Sequence, residues 1–149
     1  MENIAIREAS KNDIPIILGL LYELGRPKPQ KDSQVDSFRK LVKKYITDSD
    51  KQILVAILDD TRIIGMVSMI FLSRLNRDSF EMYIPELVVV KEYQNQGIGK
   101  QLINSCVVLA KKKNCHRIRL ESGNQRIESH NFYKHLGFEQ YAQSFTLNV

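Results

Sequence analysis

The apolar residues of this chain change their spacing several times, and each change marks an element. Ile4-Ala5-Ile6 alternates and predicts a first strand. Ser10, with Asp13 three residues on, is a helix-start signal, and Ile14, Ile17, Leu18 and Leu21 then recur at helical spacing. Pro15 falls in the first turn, where a missing N–H is tolerated. Gly25-Arg26-Pro27-Lys28-Pro29 closes that helix with a stiff loop. A second helix is predicted from about Val35 to Ile46, with Val35, Phe38, Leu41, Val42 and Tyr45 inward. Ile53 to Leu58 reads as a buried strand, Asp59-Asp60 as a turn, and Ile63 to Phe71 as the partner strand of a hairpin. A polar connection over 73–79 leads into a long strand from about Phe80 to Val90.

The period then switches. Ile98, Leu102, Cys106 and Leu109 step by three and four, which predicts an amphipathic helix. Its outer face ends in Lys111-Lys112-Lys113, where a helix dipole favours cations. Ile118 and Leu120 belong to the next strand, and a short helix over about Ile127 to Leu136 is stopped by Gly137. Two last short strands are expected, the second around Phe145-Thr146-Leu147. The order β-α-α-β-β-β-α-β-α-β-β describes an α/β (α+β) chain, a mixed sheet with helices on its faces.

Size and composition narrow the class. A chain of 149 residues is the size of one domain, so residues 1–149 are read as a single unit. With 43% apolar and 26% charged residues it is an ordinary globule, which excludes a disordered tail protein. The 22 Lys and Arg against 17 Asp and Glu give +5, a balance that suits an anionic ligand such as a nucleotide and is also compatible with nucleic acid. Two cysteines, Cys106 and Cys115, make no disulfide framework and read as reduced thiols. No basic-then-apolar leader opens the chain, and runs such as Leu87 to Val90 fall far short of the ~20 residues that span a bilayer. The expectation is a cytoplasmic protein with no membrane partner.

The most informative stretch runs from Leu87 to Leu102. A Val-rich strand enters a polar turn with two glycines, which opens a long helix. Such a turn presents unpaired N–H groups at the positive end of a helix, and glycine lets an anion approach the backbone. Gln94 and Lys100 add side-chain donors. The turn is neither a P-loop nor a dinucleotide fingerprint, because it lacks the Gly-Lys-Ser/Thr of the first and the third glycine of the second.

The run Gln94-x-x-Gly97-x-Gly99 resembles the acetyl-CoA pyrophosphate loop of the GNAT superfamily of N-acetyltransferases, Arg/Gln-x-x-Gly-x-Gly/Ala. Downstream, Ser129-His130-x-Phe132-Tyr133-x-x-x-Gly137-Phe138 resembles that superfamily's last motif, a tyrosine on a short helix before a Gly-Phe step. Together with the element order, the likeness covers essentially the whole chain. It implies a mostly antiparallel sheet of about six to seven strands flanked by about four helices, the acyl-CoA N-acyltransferase fold. Glu86-Leu87-Val88-Val89 and Glu121-Ser122 look most like a small bacterial-type branch with aminoalkylphosphonate and aminoglycoside acetyltransferases. Lys91 replaces a common proline, and Arg126 replaces a common asparagine, so Arg126 is left to reach either a CoA phosphate or the substrate.

The resemblance implies roles. Leu87, Val88 and Val89 would offer backbone groups to the pantetheine arm, with one N–H polarising the acetyl carbonyl. Gln94, Asn95, Gln96, Gly97, Ile98, Gly99 and Lys100 would hold the pyrophosphate, and Asn124, Arg126, Ser129 and Phe132 would complete the cofactor contacts. Tyr133 would protonate the leaving thiolate and Glu86 would serve as base, directly or through water, with Glu81 and Glu121 in reserve. His130 reads as structural, and His116 and His135 as solvent-facing. Cys115-His116 lacks metal-ligand spacing, so no metal is expected. The implied activity is acetyl transfer from acetyl-CoA to a primary amine of a small molecule by direct attack in a ternary complex. Arg26, Lys28 and Lys31 near the acceptor side suit an amine that also carries an anion. The alternatives are a protein or aminoacyl-tRNA acceptor, and a non-catalytic acyl-CoA-binding regulatory module. Nucleic acid is not the expected partner, and a homodimer is compatible with the resemblance.

Overall fold

The computed structural model describes residues 3–149. They form two compact units, one reaching to Arg119 and one of residues Leu120–Val149. The first unit opens with β1 (Ile4–Glu8), a tight turn at Lys11–Asp13, α1 (Ile14–Glu23) and α2 (Asp32–Thr47). Then come β2 (Lys51–Leu58), β3 (Arg62–Ser73), β4 (Phe80–Ile84), β5 (Leu87–Val89), α3 (Ile98–Lys112) and β6 (Cys115–Leu120), whose last residue begins the second unit. The sheet order is β1-β2-β3-β4-β6, with β5 also on β3. Pairing is antiparallel from β1 to β4 and between β3 and β5.

Local chemistry explains the elements. Asp59 and Asp60 have φ of 48° and 59°, a double left-handed turn closed by the Thr61 N–H on the Leu58 carbonyl at 3.0 Å, within a hairpin loop of residues 59–61. Ser10 and Asp13 form the predicted capping box, in which the Asp13 carboxylate accepts the Ser10 N–H at 2.8 Å, and that carboxylate also accepts both Arg7 amino groups at 2.7 and 3.0 Å. The Arg7 hydrogen bonds hold the Asp13 carboxyl below its usual range against the opposing effect of burial.

Ile17, Leu18 and Val42 of the two first helices pack with Ile53, Val55, Met66 and Val88 on one face of the sheet. The other face takes α3 through Leu102 and Cys106, both fully buried. Gly65 is what allows that approach, since a Cβ there would lie 3.0 Å from the Val88 carbonyl and 3.4 Å from Leu102. Leu41 departs from the predicted inward set and is 62% exposed, because it lies at the rim of the α2 stripe rather than on it.

Three further expectations change. The long strand predicted from Phe80 to Val90 is broken at Pro85-Glu86. Proline cannot donate to a ladder, and the register slips there. Tyr83 faces Ile70 while Leu87 faces Val67, so four steps on one strand match three on β3. The two closing strands are not formed among the described residues, although Phe145, Leu147 and Val149 alternate. Those side chains are 88%, 88% and 120% exposed, and a strand without a ladder partner is not held. His116 is half-buried rather than solvent-facing, with its Nδ1 2.9 Å from Ser79 Oγ.

The second unit contains α4 (Ile127–His135). Gly137, at φ 97°, ends it in a double hydrogen-bonded cap, with Gly137 N–H to the Lys134 carbonyl and Phe138 N–H to the Tyr133 carbonyl, both 3.0 Å.

The first unit also buries a charge. Glu81 on β4 is 0% exposed and accepts hydrogen bonds from Arg74 at 3.2 Å, from Arg117 at 2.6 Å and from Arg119. Burial opposes its ionisation, but the three guanidiniums outweigh that and lower its pKa to about 2. A folded pKa below the unfolded ~4.3 contributes stability that is complete above that value and lost on acidification. Unfolding free energy is therefore expected to fall between about pH 4.3 and pH 2, and Glu81→Gln should flatten that decline. The same variant should lose about 3 kcal/mol at neutral pH, read by denaturant titration. An unchanged acid limb would contradict the assigned ion cluster.

Candidate active site

The slip at Pro85-Glu86 sets the site's geometry. The Ser68 N–H donates to the Glu86 carbonyl at 2.9 Å, and the Val90 N–H donates to the Ile64 carbonyl at 2.8 Å. In an antiparallel ladder, bonded and non-bonded pairs alternate. The N–H and C=O of Leu87 and Val89 therefore point away from β3. On that side β6 has left the ladder, since it pairs with β4 and not with β5. The result is a short open edge of backbone groups. Gln94 takes one of them, its amide donating to the Val89 carbonyl at 2.9 Å.

The chain after β5 makes a tight turn at Lys91–Tyr93 and reaches Gly97, which precedes α3 at φ 84°. Asn95 is also left-handed, at φ 62°. A Cβ on Gly97 would meet no atom within 4 Å, so glycine is required by conformation and not by crowding. The first intrahelical bond is Gln101 N–H to the Gly97 carbonyl at 3.0 Å. The N–H groups of Ile98, Gly99 and Lys100 thus lie in the unpaired first turn of a fifteen-residue helix. Arg62 braces the loop by pairing with Glu92 and lying 5.4 Å over the Tyr93 ring.

Glu86 sits in the bulge, not at mid-strand as its sequence context suggests. Ser68 Oγ donates to one of its carboxylate oxygens at 2.8 Å and accepts the Glu86 N–H at 3.0 Å. Arg26 donates to the other oxygen at 3.3 Å and to the Pro85 carbonyl at 3.2 Å. Glu86 and Ser68 form the polar wall of a cavity of about 120 Å³, otherwise lined by Ile17, Leu21, Leu41, Val42 and Met66, with Tyr45 beside them. Burial lifts the Tyr45 phenol well above its ordinary pKa, and its hydroxyl donates to the Met69 carbonyl at 3.1 Å.

In the second unit Tyr133 is half-buried, edge-on to Phe132 at 5.2 Å and to Phe138 at 5.6 Å. Burial raises its pKa, and the nearby Arg126 charge opposes part of that rise. His130 donates to the Gly123 carbonyl at 2.8 Å and so ties α4 to the preceding turn. Arg126 is the residue before α4, Ser129 is half-buried on it, and Asn124 lies exposed in the turn. Ser122 Oγ is buried with no hydrogen-bond partner, the only such side-chain atom among the described residues.

The first unit therefore brings together Glu86, the Leu87–Val89 edge and the Gln94–Lys100 turn, while the second gathers Asn124, Arg126, Ser129, Phe132 and Tyr133. Glu81 is removed from the reserve bases, because a buried carboxylate with a pKa near 2 is held ionised by three arginines. Burial pushes the Cys106 thiol up to about 12, which makes it inert as a nucleophile. Among the described residues no cluster of metal-ligating side chains occurs, and no helix is long and apolar enough to cross a membrane. Sequence reasoning missed Ser68, Tyr45 and the Arg26 contact, all set by long-range pairing. The alternation of Arg117 and Arg119 was the available signal for the Glu81 cluster.

Comparison with known proteins agrees with this geometry. The family model described as Acetyltransferase (GNAT) family matches residues 18–138. N-alpha-acetyltransferase 30 from Schizosaccharomyces pombe is 30% identical over 117 residues, which are 78% of this chain and 76% of that protein. A solved structure described as a transcriptional regulator from Bacillus halodurans C-125 superposes with a TM-score of 0.88 at 26% identity, covering 99% of this chain and 100% of that one. The aminoglycoside N-acetyltransferase AAC(6')-Iy, solved in complex with CoA, shares the fold with a TM-score of 0.86 at 18% identity, covering 100% of this chain and 96% of that one. The chain belongs to the GNAT acetyltransferase family and is an acyltransferase.

Proposed function

We propose that this protein transfers the acetyl group of acetyl-CoA to the primary amine of a small molecule by direct attack in a ternary complex. The observation that carries the reading is the open Leu87–Val89 edge leading straight into the glycine turn before α3. An extended amide-containing arm can bond along such an edge, and a pyrophosphate suits the unpaired N–H groups at the helix start. The GNAT structure solved with CoA supports that assignment. Residues 1–149 act in this reading as one acetyltransferase domain.

The thioester supplies the acetyl group, and the chain's residues do the rest. Holding both reactants in place is worth ~7–11 kcal/mol. Glu86, fixed by Ser68 and Arg26, takes the proton of the attacking amine directly or through water. An outward N–H of the Leu87–Val89 edge stabilises the developing oxyanion. Tyr133, kept protonated by its raised pKa, donates to the departing thiolate. Arg126, Ser129, Asn124 and Phe132 contribute cofactor contacts, and the partnerless Ser122 hydroxyl is a further donor in the same unit. The relative named N-alpha-acetyltransferase 30 favours a second reading, in which the acceptor is the terminal amine of a peptide.

Two substitutions test the assignment. Asp tolerates left-handed backbone better than most residues and meets no neighbour at position 97, so Gly97→Asp should fold. Its carboxylate should weaken acetyl-CoA binding at least roughly tenfold by calorimetry. Wild-type-like affinity would remove the turn from the site. Tyr133→Phe should lower kcat roughly 10²–10⁴-fold, measured by free-thiol release, with acetyl-CoA affinity nearly unchanged. Equal losses in both quantities would reject Tyr133 as the acid. A screen of aminoalkylphosphonates, aminoglycosides, polyamines and short peptides separates the small-molecule reading from the peptide one.

A further inference from the structure

We propose that the cavity between the first two helices and the sheet is an acceptor subsite for the apolar substituent of a compact aliphatic primary amine, whose amino group is held at Glu86. The inference rests on the acetyl-transfer reading above and names the acceptor class for that site.

The first observation is the chemistry of the lining. Ile17 and Leu21 of α1, Leu41 and Val42 of α2, Ile53 of β2 and Met66 of β3 face the cavity with hydrocarbon. Its polar groups are gathered at one end and engaged with the protein itself. Ser68 Oγ donates to the Glu86 carboxylate and accepts the Glu86 N–H, and the Tyr45 hydroxyl donates to the Met69 carbonyl. A hydroxyl, carboxylate or second ammonium group entering this space would lose water without gaining a partner. The Glu86 carboxylate is the charged group of the lining. A carboxylate has about four acceptor positions, and Ser68 and Arg26 take one each. An anion at the wall of an apolar cavity is complementary to a cation with an apolar tail, which describes an alkylammonium. Arg26, whose sequence position suits an anion-bearing acceptor, is instead engaged with the Pro85 carbonyl and with Glu86.

The second observation is size and access. An apolar cavity of ~150 Å³ stays dry and admits the six carbons of benzene, so one of about 120 Å³ takes about five carbons. Leu41 belongs to the lining and is also 62% exposed, so the cavity reaches the surface at an apolar rim. An aliphatic group that enters there covers hydrocarbon already presented to solvent. Glu86 directly precedes the Leu87–Val89 edge assigned to the acyl donor, so an amine at its carboxylate lies beside the end of that edge.

The test uses the full-length enzyme, saturating acetyl-CoA and straight-chain amines of nearly equal basicity: ethylamine, butylamine, pentylamine and octylamine. From ethylamine to pentylamine kcat/KM should rise roughly threefold to fourfold per methylene, with no further rise at octylamine. The polar counterparts 4-aminobutan-1-ol and 1,4-diaminobutane should fall at least roughly tenfold below pentylamine. Val42→Phe takes up cavity space and should move the preference to shorter amines. Leu41→Gln, at the exposed rim, should lower kcat/KM for pentylamine at least roughly threefold more than for ethylamine, through KM. Acetyl-CoA affinity checks that each variant is folded, and calorimetric titration of pentylamine against ethylamine into the CoA-bound wild type reads the subsite without turnover. Equal kcat/KM along the series, a preference for the polar counterparts, or an unchanged chain-length profile in both folded variants would overturn the subsite while leaving acetyl transfer standing. A wild type that does not bind acetyl-CoA would overturn the transfer reading and the subsite with it.

Discussion

A proline has no N–H to give to a sheet, and the functional face of this protein is arranged around the one at Pro85. Up to Tyr83 the strand pairs with β3 in one register, and from Leu87 it pairs one residue out. The extra residue flips the alternation, so Glu86 and Val88 face the α1–α2 side. It also separates β5 from β6, which continues beside β4 alone. One irregularity thus creates the open backbone edge, places a carboxylate at a cavity and aims the chain toward the glycine turn. Bulges commonly re-aim side chains at such places, and this one is braced on both sides, by Ser68 and by Arg26.

Two glutamates five residues apart on this segment meet opposite fates. Glu81 lies in the regular part of the ladder, sealed from solvent, and three guanidiniums hold it ionised. Glu86 lies in the irregular part, held by one hydroxyl and one arginine at the wall of a cavity. The first cannot exchange protons at neutral pH, whereas the second has the placement a base requires. The basic balance of the chain is therefore not spread evenly. Part of it is gathered around these two carboxylates, with Arg26 at Glu86 and Arg74, Arg117 and Arg119 at Glu81.

Much of this was legible in the sequence where the signal is local. The switch to a three-and-four spacing at Ile98 located α3, and the two glycines located the turn before it. Asp59-Asp60 located the hairpin. What escaped was set by partners distant in the chain. Pro85 stands inside an apolar run and was absorbed into one long strand, although a proline there is itself a break signal. Phe145, Leu147 and Val149 alternate as a strand would, but alternation states only which face is apolar and cannot supply a ladder. Glu86 was singled out as a candidate base, while Ser68 and Arg26, which fix its orientation, lie 18 and 60 residues away. Glu81 stood in reserve to Glu86 until the register brought Arg117 and Arg119 to it.

The exposed edge of β5 carries the acyl-donor assignment, and amide hydrogen exchange followed by NMR reads that edge residue by residue. In the free protein the Leu87 and Val89 amides should exchange quickly, while those of Val88 and Val90, bonded to β3, are protected. Saturating acetyl-CoA should slow Leu87 and Val89 markedly and leave the other two nearly unchanged. Protection of Leu87 and Val89 in the free protein, or no change on adding acetyl-CoA, would contradict the claim that this bulge opens the strand for an acyl donor.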